Sequence, residues 1–189
     1  PRGAGFCYNT EDLEVMLEDA FILLENGADG IAFGCLNEEG NIHIKQTEKM
    51  LKILKKYNKK AIFHRAFDCV KDVDEAMQTL ICLGIDRVLT SGLADKAIDG
   101  LEMIRYLQKT YGNQIEILAG SGINEQNVKK IIYKTGIHQI HSSCKAWDMD
   151  KTANRGAVNF SYKNLDIEGK YETVNIDLVK KLITSLETL

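Results

Sequence analysis

Short apolar runs alternate along this chain with longer stretches whose apolar residues recur at three- and four-residue intervals. The runs at 30–36, 61–64, 87–91, 115–119 and 139–143 are bounded by turn residues and read as buried strands. Between them the spacing predicts helices. Asn9 or Thr10 can cap the first, which carries Leu13, Met16, Leu17, Ala20, Leu23 and Leu24 on one face and stops at Gly27. A second helix is predicted over 44–57. Asp72 with Glu75 three residues on resembles a capping box for a third over 73–83, ended by Gly84. Further helices run to about residue 111, from Asn124 to about Thr135, and over 176–188, after a polar stretch at 145–172.

Strands alternating with helices imply parallel pairing through right-handed crossovers. With a further strand expected in residues 1–7 the count is six, which completes a doubly wound open sheet. A (β/α)8 barrel of the TIM type needs eight, so this chain would supply about six βα units of one. The opening at Pro1, without an initiator methionine, favours the barrel with its N-terminal portion absent. Residues 1–189 read as a single domain, without a linker or low-complexity block.

A net charge of −3 gives no footprint for a nucleic-acid partner. No apolar run approaches the ~20 residues that span a bilayer, and no signal peptide opens the chain. The five cysteines, at 7, 35, 69, 82 and 144, are odd in number and contain no Cys-x-x-Cys pair, which fits a reducing, cytoplasmic setting. Cys82 falls in a helix and is expected in the core.

Five ordered motifs are recognisable: Pro1-Arg-Gly-Ala-Gly-Phe6, Ala28-Asp-Gly-Ile-Ala-Phe-Gly34, Phe63-His-Arg-Ala-Phe-Asp68, Asp86-Arg-Val-Leu-Thr-Ser-Gly92 and Gly120-Ser-Gly-Ile123. Together they resemble the CutC family, the so-called copper homeostasis proteins, from Pro1 to about Ser143. The resemblance implies a cytoplasmic TIM barrel associated with copper, beginning with about two further βα units. The family pattern reads Pro-Arg-Gly-Gly-Asp-Phe where this chain has Ala4 and Gly5. Cys7, Cys35, Cys69 and Cys144 fall where relatives often carry small or apolar residues.

Barrel chemistry collects at the carboxyl ends of the strands. There the chain places Arg2, His64, Arg65, Asp68, Thr90, Ser91, Gly92, Gly120, Gly122, His141, Ser142 and Ser143. His64 is an acid–base candidate that Asp68 could orient. Arg65 is adjacent to it, so in regular strand geometry at most one of the two looks into the barrel and the other must reach over the rim or pair with Asp68. The plain structural alternative is an Arg65–Asp68 ion pair staking the loop. Gly120-Ser-Gly122 ahead of a capped helix can turn backbone N–H groups toward an anion, with Ser142 and Ser143 as hydroxyl donors, or can simply be a tight turn. Cys7, Cys35, Cys69 and Cys144 are soft ligands for Cu(I), which His64 or His141 could join.

Two functions stay open: a cytoplasmic copper-handling protein binding Cu(I), and a TIM-barrel enzyme on a small anionic or phosphorylated metabolite using His64 and Asp68. None of the five apolar runs read here as strands contains a lysine, which argues against a Schiff-base aldolase. An incomplete barrel leaves a sheet edge and interior to be covered by further chain or by a partner subunit in a homo-oligomer.

Overall fold

The computed structural model describes residues 5–155, 157–159 and 169–187. Helix α1 (Thr10–Glu25) starts at Asn9, whose side chain accepts from the Asp12 amide at 2.8 Å. Strand β1 (Gly30–Phe33) leads to α2 (Ile44–Tyr57), and β2 (Lys60–Phe63) leads through a 3-10 turn (Arg65–Cys69) to α3 (Val73–Leu83). The Asp72 carboxylate caps α3 from the Glu75 amide at 2.9 Å, and Gly84 ends it at φ +82. Then follow β3 (Arg87–Thr90), α4 (Leu101–Tyr111), β4 (Glu116–Ala119), α5 (Val128–Thr135) and β5 (Gln139–Ile140).

These five strands form one parallel sheet in the order β1-β2-β3-β4-β5. A doubly wound sheet requires a reversal of order at a switch point. No reversal occurs here, so the winding is that of a TIM-type barrel. Burial agrees. Phe33, Phe63, Val88, Ile117 and Ala119 on one face are buried with Met50, Leu54, Leu80, Ile104, Leu107 and Ile131 in a single core. On the opposite face Ala32 is exposed and Ile62, Leu89 and Leu118 are only half-buried. That is the barrel interior, and the described strands form an open arc around it and not a closed ring. At its amino end, Arg87 Nε donates to Glu116 Oε2 at 2.7 Å, and Gln139 Nε2 donates to the same oxygen at 2.8 Å.

Of the strand expected in residues 1–7, residues 1–4 lie outside the described residues, and residues 5–9 are irregular. Phe6 O nonetheless accepts from Leu36 N at 2.8 Å, which lays this segment beside the end of β1. The polar stretch after β5 is not simply a loop. Strand β6 (Lys145–Met149) pairs antiparallel with β9 (Lys170–Val174), with the short β7 (Asn154–Arg155) and β8 (Val158–Asn159) paired between them. Helix α6 (Ile176–Glu187) closes the described chain. Cys82, expected in the core, is exposed on α3.

Candidate functional site at the carboxyl rim

His64 continues β2, its amide donating to Phe33 O at 2.8 Å. The ring lies against Gly34, where a Cβ would come within 2.6 Å of Nδ1, and against Phe6, at 5.2 Å between ring centroids. Nδ1 accepts from the Ala66 amide at 3.1 Å, capping the 3-10 turn, so the neutral ring carries its proton on Nε2. Burial, which disfavours the imidazolium, lowers its pKa below the ordinary histidine value. The unfolded chain therefore takes up this proton first as pH falls. His64 contributes stability above about pH 6.5 that is lost as pH drops through the folded-state pKa. His64→Asn, which keeps an acceptor for the cap, is expected to flatten the fall of urea midpoint below pH 6.5. An unchanged slope would refute a buried, neutral imidazole.

Arg65 opens the 3-10 turn, outside the strand that adjacency assumed. Its Nε donates to Asp68 Oδ2 at 2.7 Å, and its Nη2 to Ser91 Oγ at 2.8 Å and Ala94 O at 3.3 Å. Asp68, with only 7% of its side chain exposed, is the hub of this rim. Oδ1 accepts from Thr90 Oγ1 at 2.5 Å and Leu93 N at 3.3 Å. The Ser91 amide lies 3.1 Å from both carboxylate oxygens, and Ser91 Oγ lies 2.8 Å from Oδ2. Gly92 N donates to Thr90 Oγ1 at 2.9 Å. His64 makes no hydrogen bond to Asp68. The pair expected to share acid–base work is not assembled, and the staked loop is what this carboxylate builds.

Farther round the rim lies a cleft of about 610 Å³, walled by the loops after β3, β4 and β5 and by α6. Gly122, Ser142 and Ser143 line it as expected, together with Ser121, Ile123, Lys96 and Leu178. Gly120 does not line it. Gly120 is buried, and a Cβ there would meet Leu89 Cδ1 at 2.6 Å. His141 is exposed beside Gly120, its amide donating to Ala119 O at 2.7 Å. Arg2 lies outside the described residues. The expected site residues therefore form two groups: His64, Arg65, Asp68, Thr90, Ser91 and Gly92 at the ends of β2 and β3, and Gly122, Ser142 and Ser143 in the cleft. Sequence reading missed Lys96, which lies in the loop ahead of α4, and Leu178, whose helix comes from the far end of the chain.

The four thiols offered as copper ligands do not converge. Among the described residues no group of three or more His, Cys, Asp or Glu side chains could hold a metal ion. Cys35 is fully buried and burial pushes its pKa up to about 12, which keeps it protonated. Cys7 and Cys69 are exposed, and the half-buried Cys144 has its sulfur 3.6 Å from Ser142 Oγ. Soft, deprotonated ligands in one place are what Cu(I) needs, and this donor set does not fit it.

Comparison with known proteins bears on the whole arrangement. A family protein CutC from Treponema denticola is 40% identical over 187 residues, covering 98% of this chain and 75% of its own length. One from Bacteroides fragilis is 37% identical over 145 residues, covering 77% of this chain and 57% of its own. The chain thus spans three quarters of the first relative and little more than half of the second. A crystal structure of CutC from Streptococcus agalactiae, a protein named for copper homeostasis, is 30% identical with a TM-score of 0.70, covering 75% of this chain and 68% of that one. A structure described as native KDPGal, 12% identical with a TM-score of 0.52, shares the fold alone. The CutC family profile itself matches residues 1–146, the span that holds all five strands of the sheet and both groups of rim residues, and the chain belongs to that family.

Proposed function

We propose that the protein takes part in cytoplasmic copper homeostasis as a barrel of the CutC type, with copper as cargo and not as a resident cofactor. The observation that supports this reading is the family match over residues 1–146, joined to the name of the 30%-identical Streptococcus structure. Among the described residues no helix is long and apolar enough to cross a membrane. The cargo would be Cu(I), the form that soft ligands and a reducing compartment favour. The scattered positions of Cys7, Cys35, Cys69 and Cys144 give no support to a site made of them.

Two measurements test the proposal. Cells lacking the protein are expected to show altered copper tolerance and copper content, restored by the whole protein. Unchanged tolerance and content would end the copper reading. In the same assay the variant with serine at positions 7, 35, 69 and 144 is expected to restore function fully. Failure of that variant, if it remains folded, would return the thiols to the centre of the function.

A further inference from the structure

Helices α1 and α2 pack side by side and carry opposite charges. Helix α1 holds six carboxylates and no cation, whereas α2 holds five lysines and one carboxylate. The helix macrodipole accounts for Glu11 and Asp12 in the first turn of α1 and for Lys55 and Lys56 in the last turn of α2. It disfavours Glu25 at the end of α1 and Lys45 at the start of α2, and it does not reach Glu18 or Lys49 in mid-helix. Glu11, Glu14 and Glu18 follow one another at helical spacing, as do Lys45, Lys49, Lys52 and Lys56, so like charges stack along each helix. All seven side chains are exposed, and none forms an ion pair with a described residue.

Each helix leads into a strand, α1 into β1 and α2 into β2, and those strands are parallel, so the helices run the same way. Their carboxyl ends are pinned together. The Phe21 ring stands edge-on to Tyr57 at 6.1 Å between centroids, the Tyr57 hydroxyl donates to Glu25, and Lys56 Nζ lies 5.6 Å from the centre of the Phe21 ring. Counted back from that contact at the helical rise, Glu14 and Glu18 stand level with the turns that carry Lys49 and Lys52. Helix α1 also leaves apolar side chains in solvent: Val15 and Ile22 are each 49% exposed and Phe21 39%. Val15 and Ile22, seven residues apart, share one stripe with Glu11 and Glu18.

We propose that this α1–α2 face docks a second copy of the chain about a two-fold axis parallel to the helices. That axis lays α1 of each copy over α2 of the other, so every carboxylate–lysine contact occurs twice. An axis across the helices would set acid against acid and lysine against lysine, which fixes the orientation. Val15 and Ile22 then bury against the methylene stems of the facing lysines, whose ammonium groups stay at the carboxylates. A polyanion drawn to α2 would be repelled by α1 beside it, whereas a copy of the same face matches both signs at once. This interface does not depend on copper, and its test involves no metal.

Sedimentation equilibrium of the whole protein is the test. The protein is expected to dimerise at about 0.05 M salt and to dissociate at about 1 M, where charges are screened beyond ~3 Å. Glu18→Lys should weaken the dimer by about tenfold, because one change places repulsion in both halves of the interface. Lys52→Glu should do the same, and the double variant should recover most of the lost affinity. Both positions are exposed, so these variants keep the fold. Lys134→Glu on α5 should leave the dimer unchanged. A monomer at low salt overturns the proposal. So does a dimer indifferent to both salt and Glu18→Lys, or a double variant no better than either single one.

Discussion

Asp68→Ala is expected to lower the stability of the fold by about 3 kcal/mol, the cost of stripping a buried carboxylate from its donors. The carboxylate serves Arg65 Nε, Thr90 Oγ1, Ser91 N, Ser91 Oγ and Leu93 N. Its removal leaves a guanidinium and two main-chain amides without their acceptor in a shell where Thr90 and Ser91 are fully buried. Arg65 is different, because 39% of its side chain is exposed and water can replace its partner. Arg65→Ala should therefore cost about 1 kcal/mol or less. The double variant should cost less than the sum of the two, since the orphaned cation is then gone. Urea denaturation of the four proteins measures the cycle. A loss below about 1 kcal/mol for Asp68→Ala would mean that the hub is not a hub.

Gly100→Ala is expected to destabilise by about 3 kcal/mol through contact alone. Gly100 precedes α4 at φ −99, a value open to any residue, so the backbone dihedral is not at issue. An added Cβ would come within 2.0 Å of Ser91 O and 2.9 Å of both Gly92 Cα and Gly92 O. All three are main-chain atoms, so no rotamer can relieve the clash. The loop after β3 would have to leave the start of α4. It would take with it the Ala94 carbonyl that Arg65 reaches and the Asp95 carbonyl that Ser121 reaches. Thermal unfolding gives the stability. If Gly100→Ala melts within about a degree of the parent, the close approach of these two segments is wrong.

How much of this was legible in the sequence depends on the range of the interaction that decides each feature. Helix α2 was expected near 44–57 and is found there, because its apolar positions and its boundaries are local. Asp72 and Glu75 announced the start of α3 for the same reason. The spacing of Arg65 and Asp68 already contained the ion pair, but not the donors from the end of β3 and the loop after it, which arrive from 22 to 25 residues away. Asn124 misled by three residues. Its side chain accepts from Gln126 N and caps a turn, and α5 starts only after Asn127. The β6–β9 hairpin escaped notice because both its faces are largely exposed, so no hydrophobic alternation marks it. The cleft was half visible: Gly122, Ser142 and Ser143 stood out, while Lys96 and α6 take their meaning only from the fold.

The ties between successive loops have a mechanical consequence. Asp68 joins the turn after β2 to the end of β3, Ser121 fastens the loop after β4 to Asp95, and Ser142 holds the segment after β5 to Ile123. The mouth of the molecule is thus a stiff bezel and not a set of independent fingers. An incoming solute would meet a shape already set and surrender little motional freedom from the receptor on docking, so discrimination would rest on outline and charge placement in advance of contact.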